Sequence, residues 1–432
     1  MQRYESYKPS GVAWLGDIPS HWEARRNIGL FDERKEVDRP DMELLSVTIN
    51  RGVIKQDEIT AKKDSSNEDK SKYKVVRKND LAYNKMRMWQ GAIGASAYDG
   101  IVSPAYVVLT PRDALYSRYF HYLYRTEMFI AEANRHSYGL CLDMNSLRYE
   151  DFKTIHSPIP PREDIERIVT FLDQKTAEID DTIAKKERLI ALLQEQKNIL
   201  INQAVTRGLN PEAPMQNSGV EWIGGVPAHW SQHKLKHCID LLPGFAFKSS
   251  VYSNDEADIP LLRGVNINPG QLNWRDTVFW PKSKLTNFAA YMLAEGDLVI
   301  GMDRPWVSDG IRVAAIRAND LPCLLLQRAA RIRAFKNITQ DFLELVLTSR
   351  GFLSYFEPML TGISVPHISP EQIGNFEVSL PPLNEQILIC ARIGEIKDQY
   401  NKAAAHQSLS LNSLVELKSS LVAEVVTGRI RV

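Results

Sequence analysis

The side chains best placed to do chemistry in this sequence are hydrogen-bond donors, and the chemistry they suit is recognition. Lys72 to Arg87 holds six basic residues against one acidic residue, Asp80, and runs on into Met88-Trp89-Gln90-Gly91. Arg and Lys can each donate two hydrogen bonds to a guanine edge, and Gln can pair with adenine in the same two-pronged way. Lys85, Arg87, Trp89 and Gln90 are therefore candidate contacts to base edges. Lys72, Lys74, Arg77 and Lys78 suit phosphates better. Later in the chain Met302-Asp303-Arg304-Pro305-Trp306 stands at the corresponding point, aligning Arg304 with Arg87 and Trp306 with Trp89. An Arg two residues from a Trp also makes a cation–π contact that stiffens a loop, and the pattern alone leaves both readings open.

A second group of candidates lies in two loops. Ser137-Tyr138-Gly139-Leu140-Cys141-Leu142-Asp143-Met144-Asn145 occupies the place of Thr361-Gly362-Ile363-Ser364-Val365-Pro366-His367. Gly-centred loops rich in hydroxyl and amide groups approach a phosphate backbone closely. Tyr138, Asn145, Ser364 and His367 are the candidates here, with Arg263 at the end of a strand-like run. An ordinary helix-to-strand connection is the alternative. The two loops differ in sequence, as expected if each reads something different.

Reaction chemistry is not evident. No G-x-G-x-x-G follows a strand, and there is no G-x-x-x-x-G-K-[ST], G-x-S-x-G or H-E-x-x-H. No Asn/Asp-Pro-Pro-aromatic tetrapeptide is present; both Pro-Pro pairs follow aliphatic residues, Ile159 and Leu380. His233 and His237 are four apart with no third ligand in sight. Cys141, Cys238, Cys323 and Cys390 form no C-x-x-C pair, so reduced thiols in a cytoplasm are expected. The beginning of the chain reads as neither a signal peptide nor a membrane span. Lys+Arg and Asp+Glu both number 53, which argues against an indiscriminate polyanion binder. Local phosphate contacts remain compatible with that balance.

The elements that must position these groups come in two copies. Ser10-Gly11-Val12-Ala13-Trp14-Leu15-Gly16-Asp17-Ile18-Pro19-Ser20-His21-Trp22 returns as Ser218-Gly219-Val220-Glu221-Trp222-Ile223-Gly224-Gly225-Val226-Pro227-Ala228-His229-Trp230. Asp80-Leu81 returns as Asp297-Leu298, Pro160-Pro161 as Pro381-Pro382, and Val205-Thr206 as Val426-Thr427. A duplicated chain folds most simply with a pseudo-two-fold axis and can meet a partner that is itself roughly two-fold, as duplex DNA is. The repeated Trp, Pro and His-Trp positions read as packing that pins an N-terminal arm to a neighbouring element.

At 432 residues the chain is too long for one core. The expected class is mixed α+β. Residues 1–160 and 211–381 form two similar globular domains, and 161–210 and 382–432 form two long helices. Strand-like runs are Leu44–Ile49, Ala105–Leu109, Pro260–Ile267, Leu324–Leu326 and Ala330–Phe335; Arg118–Asn134 and Asp341–Phe356 read as helical. From Arg162 to Thr206 there is no Pro or Gly, and Ile165, Ile168, Leu172, Ile179, Ile183, Ile190, Leu193, Leu200 and Ala204 mark a narrow seam. Ile389, Ile393, Tyr400, Ala404, Leu411, Leu414, Leu421 and Val425 repeat it. Such a seam needs a partner. Two rods of about 65 Å, at 1.5 Å per residue, are expected to pair as an antiparallel coiled coil. Glu163, Asp164 and Glu385 suit the helix N-termini, while Arg207-Gly208 and Gly428 read as stops.

This combination resembles the specificity subunit of type I restriction-modification enzymes. The resemblance rests on the Ser10–Trp22 segment, Tyr73-Lys74-Val75-Val76-Arg77-Lys78-Asn79-Asp80-Leu81, Pro160-Pro161-Arg162-Glu163-Asp164 and Pro381-Pro382-Leu383-Asn384-Glu385-Gln386. Ile165 stands where the family, like Gln386 here, usually has Gln, and Gly394 interrupts the second helix pattern. The resemblance implies two target recognition domains, each reading one half of an interrupted DNA site, held apart by helices acting as a ruler. It implies a chain with no activity or cofactor of its own, placed in the cytoplasm. Its partners would be double-stranded DNA, two methylation subunits using S-adenosylmethionine, and two restriction subunits using ATP and Mg for translocation and cleavage. The rival readings are a self-contained DNA methyltransferase or nuclease with degenerate motifs, and a coiled-coil adaptor with no DNA role.

Overall fold

The computed structural model describes residues 2–49, 51–59, 69–139, 145–220, 223–307, 310–360 and 366–432. Two compact units divide the chain. The first takes Met1–Glu187 together with Ser408–Val432, and the second takes Arg188–Gln407. Both boundaries fall inside long helices, Arg162–Arg207 and Leu383–Val426.

The first unit is built on a four-stranded antiparallel sheet in the order Phe31–Arg34, Tyr106–Pro111, Leu81–Asn84, Ile93–Ala95. The inner strands are nearly continuous apolar runs because both of their faces are covered. Helices Tyr116–Leu123 and Glu127–Arg135 belong to the same core, where Phe31, Phe120, Tyr124, Phe129 and Phe152 stack and tilt against one another. The apolar periodicity of Arg118–Asn134 is continuous, yet the structure breaks it into two helices. Thr126 ends the first turn-down and caps the second helix, its hydroxyl accepting from Phe129 N at 3.3 Å.

The second unit repeats the sheet as Ile239–Pro243, Ala329–Ala334, Leu298–Gly301, Val313–Ala315. Its helical run also breaks, into Gln340–Leu347 and Arg350–Leu360, with Thr339 and Ser349 accepting from Phe342 N and Phe352 N. An added three-stranded sheet sets Ile259–Leu262 between Val278–Trp280 and, in parallel, Leu324–Leu325. Gly394 does not interrupt the second long helix.

The repeated N-terminal segment forms the same joint in each unit. Tyr7–Pro9 pairs with Asp17–Pro19, and Met215–Asn217 with Gly225–Pro227. The next strands, Glu23–Arg26 and Ser231–Lys234, pair with the strands that feed the long helices, His156–Ile159 and Glu377–Leu380. His21 Nε2 and Trp22 Nε1 both reach Asp164 Oδ2 at 2.8 Å. His229 Nε2 reaches Glu385 Oε2 at 2.8 Å, and Trp230 Nε1 donates to Glu385 Oε1 at 3.2 Å. The acid in each helix's first turn, favoured there by the helix dipole, is thus also the hook on which the arm hangs. The packing reading of the His-Trp pair holds, with this hydrogen-bonded contact to a carboxylate added.

Within each unit the two long helices run antiparallel. In the first, Ile165, Ile168 and Leu172 share a core with Leu421, Val425 and Val426, and Lys418 Nζ bridges Asp180 at 2.6 Å. In the second, Ile201, Ala204 and Val205 meet Ile389 and Ile393, Tyr400 bonds Gln196 at 3.2 Å, and Lys197 bonds Asn401 at 3.0 Å. Each buried aliphatic of this kind contributes about 1.5–3 kcal/mol. The remaining seam residues, among them Ile183, Ile190, Leu193, Leu411 and Leu414, are half-buried, as two-stranded packing requires.

Gly428 closes the first joint from the other side. Its φ is +75°, and a Cβ there would stand 2.5 Å from Pro19 Cδ and 3.0 Å from Trp22 Cζ3. Gly270, at φ +74°, has open space instead. Gly270→Ala is expected to cost about 1 kcal/mol, the left-handed backbone penalty alone. Gly428→Ala should cost more, about 2–4 kcal/mol, measured as the shift in urea midpoint. Equal effects would show that the Pro19–Trp22 contact does not constrain the joint.

The joint also predicts acid sensitivity. Burial acts to raise the Asp164 carboxyl's pKa, but the bonds from Trp22, His21 and Arg167 outweigh it and leave the pKa below its ordinary value. A depressed carboxylate pKa gives stability that is present above the unfolded value of about 4 and is lost as pH falls through the folded value. Asp164→Asn should therefore flatten the decline in melting temperature between about pH 5 and pH 3 relative to the parent chain. An unchanged slope would remove Asp164 from the acid response.

Candidate nucleic-acid interface

The strand Leu81–Asn84 is anchored at its start by a buried carboxylate. Asp80 accepts Arg34 Nε at 2.7 Å, Arg34 Nη2 at 3.3 Å and the Arg77 amide at 2.9 Å. Asp297 does the same for Leu298–Gly301. It accepts both prongs of Arg333, one of them at 2.8 Å, and the Ala294 amide at 2.8 Å. The arginine comes from the edge strand in the first unit and from its neighbour in the second. The duplicated Asp-Leu thus marks a conserved anchor whose partner has moved one strand over.

Each anchored strand delivers its chain into a tight loop. In the first unit Arg87 N bonds Asn84 O at 3.1 Å, Gln90 N bonds Arg87 O at 3.0 Å, and Trp89 Nε1 donates to Met86 O at 3.0 Å. Met88 is buried beneath this turn, so Arg87 faces solvent and Trp89 and Gln90 are half-exposed. Gly91, at φ +80°, ends it. The Arg-x-Trp pair is not a cation–π contact: among the described residues the cations over rings are Lys55 on Tyr98 and Arg118 on Tyr122. Trp306 lies at the edge of the second unit's core, in a two-residue pairing of Trp306–Val307 with Gly310–Ile311. Arg304 is exposed, with φ +44° and its amide on Pro366 O at 2.7 Å.

The two groups of candidates that the sequence left separate are brought together. Leu147 N donates to Lys85 O at 3.1 Å, and Ile368 N donates to Met302 O at 2.9 Å. Each post-helix loop is thereby stitched to the loop carrying Arg87 or Arg304. Tyr138 is 65% exposed and bridges to Ser146, while Asn145 Nδ2 donates to Asn134 Oδ1 at 2.7 Å. His367 Nδ1 lies 2.6 Å from Asp303 Oδ1, and Asp303 and His367 pair as an antiparallel bridge. Ser364 lies outside the described residues, as do Cys141 to Met144 and Trp222.

The remaining candidates divide by exposure. Lys72 is exposed at the end of a short 3-10 turn. Lys74 is half-buried, its ammonium donating to Tyr106 O at 2.8 Å and 3.8 Å from Glu33. Burial lowers its pKa; Glu33 opposes this, and Lys85 and Lys35 add to it. Lys74 therefore ties the sheet together as well as contributing charge. Arg263 is half-exposed and tethered to Asn266 Oδ1 and to the Asp276 carbonyl. Sequence reasoning passed over Arg328, which reaches Asp303 beside Arg304 only once the strands have paired.

Among the described residues no group of three or more His, Cys, Asp or Glu could hold a metal ion, and no helix is long and apolar enough to cross a membrane. Among the described residues burial raises the thiol pKa of Cys238, Cys323 and Cys390. Burial, with Asp320 and Asp297 nearby, pushes the Cys323 thiol up to about 12.

Two α+β units of one design, each with an exposed donor-bearing loop pair and each clasping long helices, define a duplicated recognition scaffold. Comparison with known proteins agrees. No protein-family model matches the chain. The specificity subunit of the type I restriction enzyme EcoAI from Escherichia coli is 33% identical over 215 residues, covering 50% of this chain and 36% of that one. The MjaVIII specificity subunit from Methanocaldococcus jannaschii is 25% identical over 377 residues, covering 83% of this chain and 80% of its own length. A chain solved in a study of complex assembly and conformational transition of the type I R-M system superposes with a TM-score of 0.70 at 17% identity. That match covers 96% of this chain and 99% of the other, and shows the shared fold. Over most of its length the chain is thus similar to type I restriction enzyme specificity subunits.

The anchor beneath the loop that carries Arg87 is testable. Asp80 is buried and Arg34 is partly open, so Asp80→Asn should cost about 2–4 kcal/mol of unfolding free energy, toward the lower end for a broken buried pair. Asp297→Asn should cost a similar amount. Guanidinium-chloride unfolding of each variant measures both, and a loss below about 0.5 kcal/mol would mark the anchors as dispensable.

Proposed function

We propose that this chain is the DNA sequence-recognition subunit of a type I restriction-modification complex and performs no reaction of its own. Residues 1–160 read one half of an interrupted site, and residues 211–381 read the other. Arg87, Gln90 and Lys85 face base edges in the first half, with Trp89, Tyr138 and Asn145 shaping the loop. Arg304 and His367 do so in the second, with Trp306 and Arg263 as further contacts and Ser364 a candidate on sequence alone. Lys72 and Lys74 supply positive potential toward phosphates. The two long helices set the half-site spacing and dock two methylation subunits that bring S-adenosylmethionine. Two ATP- and Mg-dependent restriction subunits complete the assembly.

The observation that carries this reading is the stitching of two divergent, donor-bearing loops onto one repeated frame in both units. A frame held constant under changed side chains is what reading two different half-sites requires. The electrically balanced composition fits a protein whose affinity is shared with its partners.

A domain exchange tests it. Residues 20–150 are replaced by the equivalent segment of another family member, and methylated adenines are mapped in cells that express the complex. One half of the methylated motif should change while the other half and the gap persist. A change in both halves, or in neither, would refute the assignment of one unit to one half-site.

A further inference from the structure

Three backbone hydrogen bonds recur at the reading end of both units. Asn84 N to Ala92 O (3.0 Å) matches Gly301 N to Arg312 O (2.9 Å). Lys85 N to Ala105 O (3.4 Å) matches Met302 N to Arg328 O (2.9 Å), and Leu147 N to Lys85 O matches Ile368 N to Met302 O. Equivalent positions can therefore be paired without reference to sequence. Where the first unit has Ala92, Ala105 and Met86, the second has Arg312, Arg328 and Asp303. The second unit thus adds two guanidinium groups and one carboxylate to a site that already holds Arg304.

These additions are not equivalent to one another. Arg312 Nη1 donates to Gly264 O at 3.1 Å and is committed to the frame. Arg328 is 60% exposed at its side chain, and Nη1 lies 3.3 Å from Asp303 Oδ1, its one side-chain partner among the described residues. Its backbone sits at φ +70°, a strained conformation that an Arg keeps only where its surroundings impose it. Two surroundings impose it here. Met302 N binds its carbonyl, and Gly264 leaves room for that carbonyl, since a Cβ on Gly264 would stand 3.0 Å from Arg328 O. Asp303 in turn is held by His367, whose Nδ1 lies 2.6 Å from the same Oδ1 that Arg328 reaches. A guanidinium fixed by a carboxylate at one nitrogen presents its remaining donors in a set direction. That is the fork that pairs with guanine O6 and N7.

We infer that Arg328, oriented by the Asp303–His367 pair, is a guanine-reading residue of the second unit with no counterpart in the first. The inference rests on the half-site reading above and goes beyond it by naming the residue and the base. Asp303 is then a positioning residue: it aims Arg328 and need not touch DNA.

The test is selection from a randomised duplex library by the full chain assembled in its complex, followed by sequencing of the bound DNA. The parent complex should enrich a bipartite motif with guanine in one half. Arg328→Lys keeps the charge but loses the fork. It should reduce the preference at one guanine position by about ten- to a hundredfold and leave the other half unchanged. Asp303→Asn should weaken the same position, and Arg87→Ala should alter only the opposite half. Circular dichroism and urea midpoints establish that each variant is folded. An Arg328→Lys motif identical to the parent's would overturn the inference while leaving the half-site reading intact. So would an equal loss of binding to every sequence, the mark of a phosphate contact. A parent complex that enriches no motif would overturn both.

Discussion

Each globular unit is attached to its long helix by one carboxylate accepting from an imidazole and an indole. Asp164 holds His21 and Trp22, and Glu385 holds His229 and Trp230. In each unit the arm and the strand that leads into the helix meet at that joint. The arm before the His-Trp pair folds onto itself, and the strand after it pairs with the strand that leads into the helix. An acid in the first turn is favoured by the helix dipole and also binds the arm. Had the joint been apolar alone, area would be buried but direction would be poorly specified. A charged, two-donor contact specifies both.

The copies diverged around that joint in instructive ways. Gln386 is fully buried in the second unit, accepting from Thr339 N at 2.8 Å and donating to Pro381 O at 2.9 Å and Asn337 O at 3.1 Å. Ile165 takes its place in the first unit and joins an apolar core. A complete polar network and a complete apolar one are both acceptable solutions, whereas a half-satisfied network is not. The Asp80 and Asp297 anchors make the same point, since the carboxylate stayed and the arginine changed strand.

Much of this was legible in the residues. The duplication, the two proline- and glycine-free segments and their acidic first turns point directly to the long helices, because period and punctuation are local properties. The short-range helix breaks at Thr126 and Ser349 were not visible, because each hydroxyl cap sits inside an unbroken apolar rhythm. The joint itself could not be read, since Trp22 and Asp164 are 142 residues apart. The candidate site was half legible. Arg87 and Arg304 stood out through their repeated neighbour Trp. Arg328 carries no motif, and it becomes relevant only when Met302 N meets its carbonyl.

The division of the chain also bears on how it is made. The second unit, Arg188–Gln407, is contiguous, whereas the first needs Ser408–Val432 to complete its core. Tyr119, in the first unit's sheet-covering helix, waits for the carbonyl of Val426, 307 residues further on, to receive its hydroxyl at 2.8 Å. On the ribosome, then, the part synthesised first is the part finished last. Its unfilled cleft, lined by Ile165, Ile168 and Leu172, stays open to water or to chaperones throughout translation of everything in between.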